Sequence, residues 1–362
     1  MKSNGATGNH VDSIVAENVP IGVVGSASFW VEYGDALARS TGLRVAAIAN
    51  PIVGLKKDFV RRLGSPPSLP DASALIRTSK IRGLICGTPM ELETIRTALA
   101  AGINVLFVSQ IPASFEEIDL IAESAHRSFL LPALHRRFQN PFRLVREVVA
   151  DGSIGKVERI ECQLPVCANS PNGNGHASGF GGVTDHAATL DLCLWWLGDA
   201  SRICADLGWE DAVRDKHLGS IIVNHANAVS IHQFTHCGGP HNVERYVIEG
   251  SMGKLEVAQT SSGRSGGDCP FRLTLTERGR ASRDFSGWLP NAPSIQDTIL
   301  DHFSDCIRGI DRPMVTIQEM RRTAECVAAA QLSSREHTKI SLPLSRCATP
   351  YLPAAQRLSL TR

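Results

Sequence analysis

Short apolar runs alternate with amphipathic segments through roughly the first 130 residues, and this alternation constrains the fold more than any other feature of the chain. The runs at 20–25, 43–49, 81–86, 104–108 and 129–132 read as buried strands, and the segments at 29–39, 92–101 and 115–127 read as helices. Strand alternating with helix predicts an α/β arrangement, a parallel sheet with helices on both faces. Ligands of such sheets bind beyond the carboxyl ends of the strands, where the strand order reverses. In this chain that edge comprises Gly25, Ser26, Ala27, Ser28 and Phe29, then Asn50, then Gly87, Thr88 and Pro89, and finally Ser109.

The glycine loop after the first run is partly kept. Gly25 supplies the tight turn, Ala27 stands where a second glycine would admit a pyrophosphate, and Trp30 stands where a third would let helix and strand approach closely. The Trp30 indole is expected to fill that space and reshape the nucleotide site. Asn50 occupies the usual acidic position; it can bond a ribose hydroxyl yet lacks the charge that rejects a 2'-phosphate. Either NAD or NADP is therefore the expected cofactor, and a Rossmann-like fold without nucleotide is the competing reading.

The second half predicts a helix from 140 to 150, a turn through Gly152-Ser153-Ile154-Gly155, and strands near 158–164, 201–207, 220–223, 228–235, 243–249, 254–258 and 271–277. Residues 166–182, rich in Gly, Asn and Ser, are the candidate substrate loop. The expected division is a flexible leader at 1–19, a Rossmann-type dinucleotide-binding domain at 20–138, an α+β domain with a large open, mostly antiparallel sheet at 139–343, and a tail at 344–362. One late helix is expected to return to the first domain.

Lys and Arg number 37 against 36 Asp and Glu, so charge points to neither nucleic acid nor an acidic membrane. No apolar run approaches the ~20 residues that span a bilayer, and the polar first residues lack a signal core. A cytoplasmic protein with a small-molecule substrate is expected. Alternating strands with one face left over predict a homo-oligomer, a dimer or tetramer, through the open sheet. None of the ten cysteines forms a Cys-x-x-Cys pair, which suits reduced structural thiols. His232, His236, Cys237 and His241 are the nearest thing to a metal motif, but on a strand His232 and His236 lie roughly 13 Å apart, so no metal is expected.

The stretch Gly181-Gly182-Val183-Thr184-Asp185-His186, continuing to Asp191 and Trp195-Trp196, reads as a glycine-rich approach to a helix. Together with the Gly-x-Ile-Gly turn at 152–155, the strand-turn-strand Tyr246-Val247-Ile248-Glu249-Gly250-Ser251-Met252-Gly253-Lys254 and the closing helices, it resembles the glucose-fructose oxidoreductase/inositol dehydrogenase (Gfo/Idh/MocA) family. The resemblance spans about 20–343 and implies a two-domain nicotinamide oxidoreductase acting on a sugar, cyclitol or amino-sugar derivative.

The chain departs from the family at its polar landmarks. Val108-Ser109-Gln110 stands where members carry Glu-Lys-Pro, Glu93 replaces a histidine, and the two aspartates of the helix start are six apart with the familiar catalytic histidine missing. The substitute acid-base residues are His186, favoured as proton carrier, and Asp185, with Asp191, His176 and Arg137 nearby. Each also has a plainer role: Asp185 as a helix cap, His186 as a residue that caps or orients the helix, Asp191 as the partner of an arginine, Arg137 as a solvated or ion-paired residue, and His176 as a loop residue without a part in the chemistry. Three readings stay open, an oxidoreductase with a degenerate active site, a redox-neutral enzyme in the same cleft, and a non-catalytic ligand-binding or regulatory protein.

Overall fold

Val19 to Gly25 is buried at nearly every position, as a strand covered on both faces requires. It forms β1 (Val19–Gly25) at the middle of a parallel sheet. The computed structural model describes residues 18–49, 57–78, 80–87, 92–108, 115–166, 183–208, 219–236, 242–261, 271–285 and 293–344. In chain order the first sheet adds β2 (Leu43–Ala49), β3 (Ser68–Leu69), β4 (Gly83–Gly87), β5 (Asn104–Phe107) and β6 (Leu130–Pro132). Their spatial order is β3-β2-β1-β4-β5-β6, so the direction of winding reverses between β1 and β4. That order defines a Rossmann-type sheet.

Its helices are α1 (Ala27–Arg39), α2 (Lys57–Arg62), α3 (Ala72–Thr78), α4 (Leu92–Ala100) and α5 (Phe115–Ser124). The first begins two residues before the expected start, because Ser26 caps it and accepts from Phe29 N–H. The last ends at Ser124 rather than 127; the Ser124 hydroxyl turns back to Leu120 O, and Ala125 N–H bonds Ala122 O in a tightened final turn. Sequence reading missed α2, β3 and α3. Each is short, and Pro66, Pro67 and Pro70 interrupt any period between them.

After α6 (Asn140–Asp151), Gly155 turns the chain at φ 72° into β7 (Val157–Val166). A Cβ there would lie 2.5 Å from Ser251 Oγ, so the turn needs glycine twice over. The second sheet continues with β8 (Ala200–Leu207), β9 (Gly219–His225), β10 (Val229–His236), β11 (Asn242–Gly250), β12 (Gly253–Ser261), β13 (Phe271–Glu277), β14 (Arg283–Asp284) and β15 (Ile340–Ser341). Among the described residues it has nine strands in the order β14-β13-β12-β11-β7-β10-β9-β8-β15. Only the β7/β10 pair runs parallel, which matches the expected mostly antiparallel sheet. Its inner face packs on α6 and on α7 (Val183–Leu197).

Two late helices join the halves. A Ser294–Asp297 capping box starts α8 (Ile295–Arg308), which places Ile299 and Phe303 in one core with Val19 and Tyr33. A Thr316–Glu319 box starts α9 (Ile317–Glu336). Met320 and Ala324 of α9 belong to the core of the first sheet, whereas Ala329 and Ala330 belong to that of the second. Ser333 and Ser334 then accept from Ala205 and Leu207 N–H, each at 2.9 Å. No described helix is long and apolar enough to cross a membrane.

Candidate functional site

At the reversal point Ser26 ties α1 to the end of β4. Its backbone N–H and its hydroxyl both donate to Gly87 O, at 3.2 and 3.0 Å, while Oγ accepts from Phe29 N–H. Ala27 and Ser28 are exposed at the first turn of α1, where the helix dipole and backbone N–H groups favour an anion. These residues fit the phosphates of a dinucleotide. The glycines beside them serve another group: a Cβ at Gly87 would lie 2.1 Å from Phe29 Cδ2, and one at Gly25 would lie 2.4 Å from Phe29 Cδ1 and 2.9 Å from Trp30 Nε1. Both glycines make room for Phe29, whose ring stacks on Tyr33 at 5.2 Å.

Trp30 is 6% exposed, packed edge-on against Phe59 of α2 and against Phe29. Its indole does lie against Gly25, as its place in the motif suggests. The indole N–H has no hydrogen-bond partner among the described residues. Deeper in the same helix, Tyr33 is fully buried and its hydroxyl meets His135 Nε2 at 2.7 Å; burial, then the charge of Glu32, pushes its pKa up and keeps the hydroxyl protonated.

The expected catalytic set is only partly assembled. Arg137 and Asp191 are each 1% exposed and paired with one another, Nε and Nη2 of the guanidinium donating to the two carboxylate oxygens at 2.8 and 2.7 Å. Arg137 Nη1 donates to Glu319 at 2.7 Å and to Met314 O at 3.2 Å, and Thr323 donates to Asp191. Burial works against the charged guanidinium, but Asp191 and then Glu319 outweigh it and raise the Arg137 pKa. Their hydrogen-bonding groups are taken up in joining the 135–138 turn, α7 and α9. The ion-pair alternative is what the structure contains.

His186 lies in the first turn of α7, 3% exposed, with its ring 4.0 Å from that of Phe234 on β10. Asp185 is in the same turn of backbone. His176, Asn50, Thr88, Pro89 and Ser109 lie outside the described residues, as do Cys237 and His241.

Below His186 the same helix face meets a chain of polar groups that sequence reading missed. His225 Nδ1 faces Gly198 O at 2.9 Å, His225 Nε2 faces Ser230 Oγ at 3.2 Å, Ser230 Oγ faces His232 Nε2 at 3.0 Å, and His232 Nδ1 faces Thr189 Oγ1 at 3.1 Å. Burial depresses the His225 imidazole below its ordinary range, against the pull of Gly198 O. The carbonyl only accepts, so His225 Nδ1 carries the ring proton and Nε2 accepts from the Ser230 hydroxyl. Ser230 Oγ then accepts from His232 Nε2–H, which leaves a lone pair on Nδ1. Signals for this chain do exist in sequence, since Ser230 and His232 share a strand face, and Thr189 and Cys193 are one helical turn apart. Their meeting depends on how α7 lies on the sheet.

No protein-family model and no curated protein matches the chain. Solved structures do match it. An oxidoreductase from Agrobacterium radiobacter in complex with NAD+, L-tartaric acid and magnesium is 18% identical, with a TM-score of 0.74 over 90% of this chain and 98% of that one. A levoglucosan dehydrogenase in complex with NADH and levoglucosan is 17% identical, with a TM-score of 0.72 over 91% and 100%. An aldose-aldose oxidoreductase from Caulobacter crescentus complexed with glycerol gives 17%, 0.71, 90% and 100%. At such identities the likeness is one of fold, and it extends along nine-tenths of the chain.

Proposed function

We propose that the chain is an oxidoreductase of the Gfo/Idh/MocA type acting on a small polar metabolite, a sugar, cyclitol or amino-sugar derivative, with NAD or NADP. The observation that carries this reading is the reversal point itself. Ser26 bridges α1 to Gly87 there, and Ala27 and Ser28 are left exposed at a helix start suited to phosphate. Two of the similar structures contain NAD+ or NADH, which supports a nicotinamide dinucleotide in the corresponding place. Such a cofactor, when bound, supplies the hydride acceptor or donor. Ser26, Ala27 and Ser28 would hold its phosphates, and Phe29 would back it against β4.

His186 is the proposed proton carrier, because an imidazole is the side chain best suited to giving and taking a proton near neutral pH. Asp185 positions the helix start. The partner in solution is proposed to be a second copy, seated on the outward face of the nine-stranded sheet. There Ile222 and Val243 are exposed, and Ile231 pairs with Ile222 across the strands. A strictly monomeric mass across micromolar concentrations would remove that part of the proposal.

One observation favours a second reading. The Phe29 ring lies across both glycines of the reversal point, where an open crevice would leave space. A redox-neutral enzyme or a non-catalytic binding protein has no need of that space. Titration of the purified protein with NAD(H) and NADP(H) separates the two: micromolar binding supports the oxidoreductase, and no binding at millimolar cofactor favours the second reading. In an active preparation, His186→Ala is expected to lower turnover by about two to four orders of magnitude. Full turnover in that variant would remove His186 from the mechanism.

A further inference from the structure

We propose that Cys162, Cys193 and His232 form a buried site for a divalent ion of the zinc class, which clips α7 to the second sheet. The three residues come from β7, α7 and β10. All are buried, and one ligand atom from each lies within 4.8 Å of the others. Cys162 and His232 are register partners on adjacent parallel strands, so their side chains leave the same face of the sheet. Cys193 descends on them from the helix above.

The spacing suits a tetrahedral ion. Zinc–sulfur bonds of about 2.3 Å at a tetrahedral angle put two sulfurs about 3.8 Å apart. The Cys162 and Cys193 sulfurs are 3.8 Å apart. Histidine orientation is settled by the hydrogen-bonded chain behind it. Anchored at Gly198 O and passing through His225 and Ser230, that chain holds the His232 proton on Nε2 and leaves the Nδ1 lone pair for a ligand bond. Metal-bound histidines are oriented in this way by a partner on the other ring nitrogen. Thr189, whose hydroxyl lies 3.1 Å from His232 Nδ1, offers an oxygen for the fourth position.

Charge selects the ion. Two thiolates and a neutral imidazole sum to −2, which a divalent cation cancels, whereas a monovalent one leaves a net charge in an apolar core. Thiolate and imidazole together suit zinc and disfavour magnesium or calcium. Binding Zn2+ in place of two thiol protons forms two Zn–S bonds and releases two H+, with no change of oxidation state. The site lies among Ile160, Leu164, Leu190 and Tyr246 in the core of the second half, so its role is to hold helix to sheet.

The test is metal content and spectroscopy of the full-length protein, expressed in zinc- or cobalt-supplemented medium and purified under reducing conditions without chelator. One equivalent of zinc per chain is expected by mass spectrometry. The cobalt form should show the intensified visible bands of tetrahedral Co2+ together with a thiolate-to-cobalt charge-transfer band. Ser230→Ala, which keeps all three ligands but frees the imidazole, should weaken metal affinity about 10- to 100-fold. Cys193→Ala, a small residue in a small buried place, should fold and lose the charge-transfer band. Protein that is folded and reduced yet metal-free, one that holds Cu+ instead, or one with a Cys162–Cys193 disulfide would each overturn the proposal.

Discussion

Arg137 clasps the carboxylate of Asp191 with two parallel hydrogen bonds of 2.7 and 2.8 Å in a place that water does not reach. Removing one partner strands the other charge in the core. Arg137→Ala is expected to cost about 3–5 kcal/mol, while the double change Arg137→Met with Asp191→Leu should recover most of it. Urea denaturation of the three proteins reads this directly. A single-variant loss below about 1 kcal/mol would mean that the pair is open to solvent.

Gly87 and Phe29 should be coupled. A methyl group at position 87 would meet the base of the Phe29 ring at 2.1 and 2.2 Å, where no rotamer change gives way. Gly87→Ala should therefore destabilise by about 1–3 kcal/mol, and Phe29→Leu in the same chain should offset part of that. Strict additivity in the thermodynamic cycle would show that Phe29 does not rest on Gly87.

Replacement of Trp30 is expected to act through packing. Trp30→Ala should lose about 3–5 kcal/mol, because the indole is buried between Phe29 and Phe59. Trp30→Phe, which removes an indole N–H lacking a partner among the described residues, should cost less than about 1.5 kcal/mol. Melting curves distinguish them. Equal losses in the two variants would contradict this packing account.

His302 makes stability fall on the acid side of neutrality. Its Nε2 accepts from Met314 N–H at 3.0 Å, and its Nδ1 faces Asp311 at 3.2 Å. Burial depresses its pKa, outweighing the opposite pull of Asp311 and Asp305, with Arg143 adding to the depression. A second proton would have to sit on Nε2, where Met314 donates. The unfolded chain, with a histidine pKa of about 6.5, therefore takes up the proton first as pH falls. Full stability is expected above about pH 6.5, with a decline as pH drops through the folded-state value. The His302→Gln variant should melt lower at neutral pH but with a flatter acid slope, His225 supplying a residual slope of the same sign. An unchanged slope would exclude His302 as its source.

Acid also loosens the start of α9. Burial alone would raise the Glu319 pKa, but Arg137 and the Thr316 cap hold it below the usual carboxylate range. That contribution is present above the unfolded value of about 4.3 and is lost as pH falls through the folded one. Glu319→Gln should flatten the acid limb of the melting curve in that range. If the limb is unchanged, Arg137 draws its support from Asp191 alone.

Local order was legible in the chain itself. The apolar runs of β1, β2 and β4 and the turn at Gly155 depend on neighbours a few residues away, so period and residue type determine them. The rest needed the tertiary structure, because it joins residues far apart through the way helices lie on sheets. Arg137 meets Asp191 54 positions on. Cys162 meets Cys193 31 positions on, and His232 enters from the neighbouring strand, which no spacing rule anticipates. Along its own strand the rise per residue carries His236 away from His232; across the sheet, register brings Cys162 beside it. Sequence determined which elements form. Only their packing decided which polar side chains share a buried place, since burying each one demands a partner that the local sequence does not supply.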